Sequence, residues 1–112
     1  MTTIFDKIIS REIPADIVYE DEHVLSFRDV NPVAPVHVLV IPKKKIASFN
    51  EIDKLKPEEA GEFLHSVGKV VKKLNLKDGY RLVINCGEHG CQSVDYIHVH
   101  VIGKRQLDWP PG

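Results

Sequence analysis

Three histidines and one phenol carry the most legible chemistry in this chain. In Ser93 to Ile102, S-V-D-Y-I-H-V-H-V-I, the residues alternate, and in an extended strand a period of two sends neighbouring side chains to opposite faces. One face then holds Val94, Tyr96, His98, His100 and Ile102; the other holds Asp95, Ile97, Val99 and Val101. His98 and His100 fall roughly 6.5 to 7 Å apart on the first face. Near neutral pH an imidazole serves as nucleophile, proton carrier or metal ligand. A third histidine, His37, lies at the start of V-H-V-L-V-I-P. Single histidines such as His23 and His65 are read as structural. For the H-x-H pair the spacing leaves structure and function open, with zinc binding and nucleophilic catalysis as the functional options.

The loop leading into this stretch favours phosphate. Gly87-Glu-His-Gly-Cys-Gln-Ser combines two glycines, whose amides are free to face an anion, with Gln92 and Ser93 as neutral donors. Beside histidines it suits a phosphorus centre, where charge developing on nonbridging oxygens needs prearranged donors. A plain hairpin connection is the alternative for the loop taken alone. No glycine-lysine phosphate loop or dinucleotide fingerprint occurs. Zinc held by His37, His98 and His100 with Cys86, His89 or Cys91 remains a rival reading, C-x2-H-x-C being a loose ligand spacing.

The elements that must position these groups follow from periodicity. Ile4, Phe5, Ile8 and Ile9 recur at helical spacing behind Thr3 and Asp6, a capping arrangement, and this short helix ends before Pro14. Asp16 to Glu20 and His23 to Asp29 are β-rich runs about an Asp21-Glu22 turn, and so form a hairpin. Asn31-Pro-Val-Ala-Pro is a stiff connection into a buried strand, Val36 to Pro42. After a polar linker, Pro57-Glu58-Glu59 opens a long helix whose stripe is Ala60, Phe63, Leu64, Val67, Val70, Val71 and Leu74. Tyr80 to Asn85 is a fourth strand, Cys86 to Gln92 a loop, and Ser93 to Ile102 the fifth strand. The order helix, three strands, long helix, two strands predicts an α+β domain: a five-stranded antiparallel sheet with its helices segregated to a face. The strand order stays open.

Composition bounds the possibilities. At 112 residues the chain is expected to form a single domain, residues 1–112, with one core. Its 15 Lys and Arg balance 16 Asp and Glu, so no net field draws it to nucleic acid or a membrane. No apolar run reaches the roughly 20 residues of a spanning helix, and no secretory signal is visible, so the cytoplasm is the expected location. The two cysteines make no disulfide framework and are expected to be reduced.

At Y-I-H-V-H-V-I, after G-C-Q-S-V, the chain resembles the histidine triad (HIT) family, whose signature is His-φ-His-φ-His-φ-φ with φ apolar. The likeness extends to T-I-F-D-K-I-I-S-R-E-I-P-A, F-R-D-V-N-P-V-A-P-V-H-V-L-V-I-P-K-K, G-Y-R-L-V-I-N and R-Q-L-D-W-P-P-G, nearly the whole chain, and points to the Hint branch of nucleotide-binding proteins. The resemblance implies a homodimer in which two five-stranded sheets become continuous, and a purine nucleoside phosphoramidase releasing AMP or GMP without a cofactor. By position it makes His98 the nucleophile that becomes nucleotidylated, with His100 and His37 as phosphate contacts and Ser93 as the leaving-group donor. Asn85 and Gln92 would lie near phosphate and Asp29 on the ribose hydroxyls. Ile4, Phe5, Ile8, Phe27 and Val30 would form the purine slot, and Trp109 would reach toward the partner's site. One position departs from the pattern: the first triad residue is Tyr96. A phenol there either keeps a supporting hydrogen bond, and activity survives, or fails in a relay, and the rate falls; the alternative it opens is a nucleotide-binding or partner-binding module with little catalysis.

Overall fold

Asp21 shows how locally the first turn is specified. Its carboxylate accepts the N–H groups of His23 and Val24 at 2.7 and 2.9 Å, the bond a turn aspartate makes to its own downstream backbone. A computed structural model describes residues 1–112. Helix α1 spans Ile4–Ile9, strands β1 and β2 Ile17–Glu20 and Val24–Arg28, and β3 Val36–Pro42. Helix α2 covers Pro57–Leu74, and β4 and β5 are Tyr80–Val83 and Val99–Gly103. The linker before α2 is not wholly irregular: Phe49–Lys54 forms a 3-10 helix whose cap, Ser48, accepts the Asn50 N–H at 3.2 Å.

All pairings are antiparallel, in the order β1-β2-β3-β5-β4. The chain leaves β3 through α2 and enters the sheet again at its edge as β4; β5 then fills the slot between them. Strand β3 is therefore central, and its unbroken V-L-V-I run is buried on both faces. Val38 and Val40 join Val24, Val99 and Val101 beneath Phe63, Val67 and Val70 of α2. Leu39 and Ile41 join Leu25, Phe27, Tyr96 and the α1 residues Phe5 and Ile8 on the other side. The helices thus lie on opposite faces of the sheet, not segregated to one. This matters for the site, because α1 has only 6 residues and leaves the rest of its face to other side chains.

Two further expectations are corrected. Leu64 is 62% exposed and lies outside the buried stripe, on the flank of α2 that carries Gly61 and Gly68. The fifth strand starts at Val99, not Ser93, because its neighbour β3 ends at Pro42, which has no N–H for the ladder. The Ile97 N–H donates instead to Ile46 O at 2.9 Å. The alternation survives without the ladder: Tyr96 packs on the α1 face while Ile97 joins Ile46 and Leu55.

Candidate active site

Parity places the histidines. His37 on β3 stands opposite Ile102 and His100 on β5 stands opposite Leu39, which makes the two histidines diagonal neighbours on the α1 face. Their ring centroids are 5.2 Å apart, and His100 is 5.0 Å from His98, which sits just before β5. His98 is 3% exposed and meets Phe5 edge to face at 5.1 Å. A short helix beside three imidazoles forms one wall of the site.

Hydrogen bonds fix which nitrogen of each ring carries the proton. The Val33 N–H donates to His37 Nδ1 at 3.1 Å, so that nitrogen is bare and the His37 proton lies on Nε2. His37 Nε2 lies 2.9 Å from His100 Nδ1 and, less closely, 3.4 Å from Asp29 Oδ2. Donation along the shorter contact makes His100 Nδ1 an acceptor and leaves the His100 proton on Nε2. That Nε2–H is buried and has no partner. A buried donor without an acceptor is costly, on the order of 1–3 kcal/mol, and its persistence marks a place where a ligand oxygen belongs. Burial first, then the nearby His98 and His37 rings, lower the His100 pKa to about 4, with Asp29 opposing, so this donor is neutral at pH 7.

His98 is set the other way round. Its Nδ1 donates to the Tyr96 carbonyl at 2.8 Å, which leaves Nε2 as a lone pair with no protein partner. One ring therefore offers a nucleophilic nitrogen and its neighbour an N–H. That pairing suits attack on an anionic phosphorus, whose oxygens need donors while the attacking atom needs none.

The Tyr96 side chain takes no part in that arrangement. It is 1% exposed, its hydroxyl donates to the Pro42 carbonyl, and Phe5 meets its ring edge-on at 6.1 Å. Lys45 Nζ lies 5.6 Å from the ring centroid and 2.9 Å from Asp6. Burial, and then the Asp6 charge, push the phenol pKa further up, so it stays protonated.

The remaining candidates divide. Phe5, Ile8 and Phe27 are buried in one cluster, whereas Ile4 and Val30 are 53% and 91% exposed. Asp29 Oδ1 accepts the Asn31 N–H at 2.8 Å, so its turn-forming role is present alongside its approach to His37. Ser93 is exposed and Asn85 half-buried, and neither makes a side-chain hydrogen bond. Trp109 is 80% exposed in the tail. The Gln92 side chain is engaged within the loop: its Nε2 donates to Ala47 O and Val94 O at 2.7 and 3.0 Å, and its Oε1 accepts the Gly87 N–H. The loop amides are likewise partly consumed, since Cys91 N–H and Gln92 N–H donate to Glu88 O and Gly87 O. Gly90 is obligatory in this closure, because a Cβ there would lie 2.4 Å from Cys86 O. The loop cysteines and His89 join no cluster of potential ligands; the three groups that converge are Asp29, His37 and His100, with ligand atoms within 4.8 Å of one another. Side-chain types gave no sign of the Val33 amide, a backbone donor held between Pro32 and Pro35.

The sheet and the three rings define a class: an antiparallel α+β domain that presents a bare imidazole nitrogen beside a neutral imidazole donor. A model of the HIT domain matches residues 10–107, and the chain belongs to that family, on its Hint branch. It is 54% identical over 112 residues to a 14 kDa zinc-binding protein of Zea mays, covering 98% of this chain and 88% of that one. It is 49% identical over 112 residues to Adenylylsulfatase HINT1 of Arabidopsis thaliana, covering 98% and 76%. Among solved structures, a HIT family hydrolase from Legionella pneumophila Philadelphia 1 superposes with a TM-score of 0.92 at 44% identity, covering 99% of this chain and 100% of that one. A histidine triad nucleotide-binding protein from Candida albicans gives 0.83 at 32%, covering 99% and 85%.

Proposed function

We propose that the protein, acting as one domain over residues 1–112, is a nucleotide-binding hydrolase. It cleaves the P–N or acyl-phosphate bond of purine nucleoside 5′-monophosphate derivatives and releases AMP or GMP. The observation that carries this reading is the opposed proton placement on His98 and His100. His98 Nε2 attacks the α-phosphorus and forms an N–P bond as the bond to the leaving group breaks. The electron pair goes to the departing nitrogen, which takes the Ser93 hydroxyl proton and leaves as an amine, solvent returning a proton to Ser93. Water then forms an O–P bond and gives its proton to solvent as the His98–P bond breaks, the electron pair returning to His98 Nε2. The His100 Nε2–H donates to a phosphate oxygen throughout, and His37 holds His100 in the tautomer that allows it. Ser93, exposed and unbonded, is available to the leaving group, and Asn85, two residues beyond β4, to the phosphate. Asp29 takes the ribose hydroxyls. Phe5, Ile8 and Phe27, with the exposed Ile4 and Val30, take the purine.

The name adenylylsulfatase on the Arabidopsis relative supports the same attack with a different leaving group, since sulfate departs from adenylyl sulfate without needing a proton. The location proposed for the protein is the cytoplasm, where Cys86 and Cys91 would stay reduced. The test is direct. Adenosine 5′-phosphoramidate and adenylyl sulfate, each followed by phosphorus NMR, are expected to give AMP at the same rate with and without chelator. No AMP from either substrate would overturn the reading.

A second reading has one observation behind it. Asp29, His37 and His100 offer one oxygen and two nitrogens to a metal, and the maize relative is named for zinc. A tetrahedral zinc with bonds near 2.05 Å holds its ligand atoms about 3.3 Å apart. The present 2.9 Å between His37 Nε2 and His100 Nδ1 would have to open, and the His37 proton would have to leave. Loss of activity in chelator, restored by zinc, would favour this reading over the first.

The homodimer is the last part of the proposal. Strand β4 is a sheet edge whose Tyr80 and Leu82 are 47% and 42% exposed, with Ile84 just past its end 39% exposed, an apolar edge of the kind that other chains pair with. The bare flank of α2 at Gly61, Leu64 and Gly68 adds apolar surface for the same purpose, and Trp109 would extend from it toward the partner's site. Leu82→Arg is expected to convert a dimer to a monomer in sedimentation velocity; a wild-type chain that sediments as a monomer would overturn it.

A further inference from the structure

The donor chain that ends at His100 begins outside the site. Val33 is 54% exposed, so side-chain packing does not hold it in place. Two backbone bonds do: its N–H donates to His37 Nδ1 at 3.1 Å, and its carbonyl accepts from Arg105 Nε at 2.9 Å. Arg105 follows the end of β5, where Lys104 adopts a left-handed φ of 69° that turns the chain back. The guanidinium also donates to Gln106 O at 3.1 Å, which ties the arginine to the backbone of the next residue.

We infer that Arg105 is a positioning residue: by holding the Val33 carbonyl it keeps the Val33 N–H on His37 Nδ1 and so selects the proton placement on His37 and, through it, on His100. The argument is one of alternatives. A neutral imidazole interconverts freely between its two tautomers unless a fixed partner takes one nitrogen. With the Val33 amide in place, His37 Nδ1 must accept and Nε2 must donate. If the loop moves, His37 can carry its proton on Nδ1, its Nε2 becomes an acceptor, and the His100 proton shifts to Nδ1 to meet it. His100 Nε2 then loses the hydrogen that phosphate needs. Pro32 and Pro35 stiffen the loop without fixing where it sits, and besides His37 itself it is Arg105 that bonds Val33 to the rest of the fold. A guanidinium on a carbonyl is a charge-assisted bond, stronger than a neutral one.

The effect on catalysis rests on the function proposed above; the effect on the tautomer does not. Nitrogen-15 spectra of histidine-labelled protein report the proton on each ring nitrogen whether or not the protein turns over. Wild type is expected to show His37 as the Nε2–H form. Arg105→Ala is expected to show a mixture, with kcat on adenosine 5′-phosphoramidate down about tenfold and KM little changed; Arg105→Lys, whose ammonium can still meet the carbonyl, is expected to restore most of both. Arg81 is the control, because it ties the same tail through Asp108 O at 2.8 Å without touching Val33. Unchanged His37 and His100 signals in Arg105→Ala, whatever the rate, would overturn the inference. So would an equal shift in Arg81→Ala, which would trace the effect to the tail as a whole.

Discussion

His98→Ala is expected to lower the single-turnover rate of adenosine 5′-phosphoramidate hydrolysis at least about a thousandfold, because it removes the atom proposed to attack phosphorus. The substitution has a structural cost that must be separated from the chemical one. It leaves the Tyr96 carbonyl without its donor, about 1–3 kcal/mol if no water replaces the ring, and removes the edge-on contact to Phe5. His98→Asn places an amide nitrogen where the ring carried Nδ1, able to donate to that carbonyl, but has no nucleophilic nitrogen, so it is expected to fold like wild type and remain inactive. Mass spectrometry of wild type quenched during turnover is expected to find a nucleotide adduct on a peptide containing His98, and neither variant should carry one. Comparable rates in wild type and both variants would remove His98 from the reaction.

How much of this was legible in the sequence depended on whether a feature is local. The Thr3 and Asp6 cap, the Asp21 turn and the Pro57 helix start each depend on residues within a few positions, and each forms as expected. The face shared by Tyr96, His98 and His100 was legible because alternation fixes parity even where the ladder is missing. The end of that ladder was not, since it depends on Pro42 in a strand more than fifty residues earlier. The placing of α1 and α2 on opposite faces depended likewise on packing across the sheet. Gln92 reads as a donor by type; only the folded loop reveals that Ala47 and Val94 have already taken both its protons. The tautomers were the least legible part, because they are set by the Val33 amide and the Tyr96 carbonyl, backbone groups that every residue possesses.

Tyr96 is the residue at which sequence and structure together give a sharp expectation. A relay role would require the phenol to face His98 and exchange a proton with it. Instead its hydroxyl donates to the Pro42 carbonyl, burial and the Asp6 charge keep it protonated, and it is the backbone carbonyl of residue 96 that holds His98 Nδ1. The phenol therefore acts as a bolt between the end of β3 and the segment that carries His98. Tyr96→Phe keeps the ring against Phe5 but leaves Pro42 O unpaired, so it is expected to lose about 1–3 kcal/mol in urea unfolding while retaining the rate within about threefold. Tyr96→Ala empties a core position that is 1% exposed and is expected to cost about 3–5 kcal/mol. With the bolt gone, the carbonyl that orients His98 is free to move, and the rate should fall about a hundredfold, since small misplacements of a reacting group are costly. The discriminating result is the phenylalanine variant. If Tyr96→Phe unfolds like wild type yet loses its activity, the hydroxyl is part of the chemistry and the first triad position is a relay after all. If the loss is in stability and the rate survives, a tyrosine at that position serves by packing and by one bond to Pro42, and the nucleophile beside it needs no proton from it.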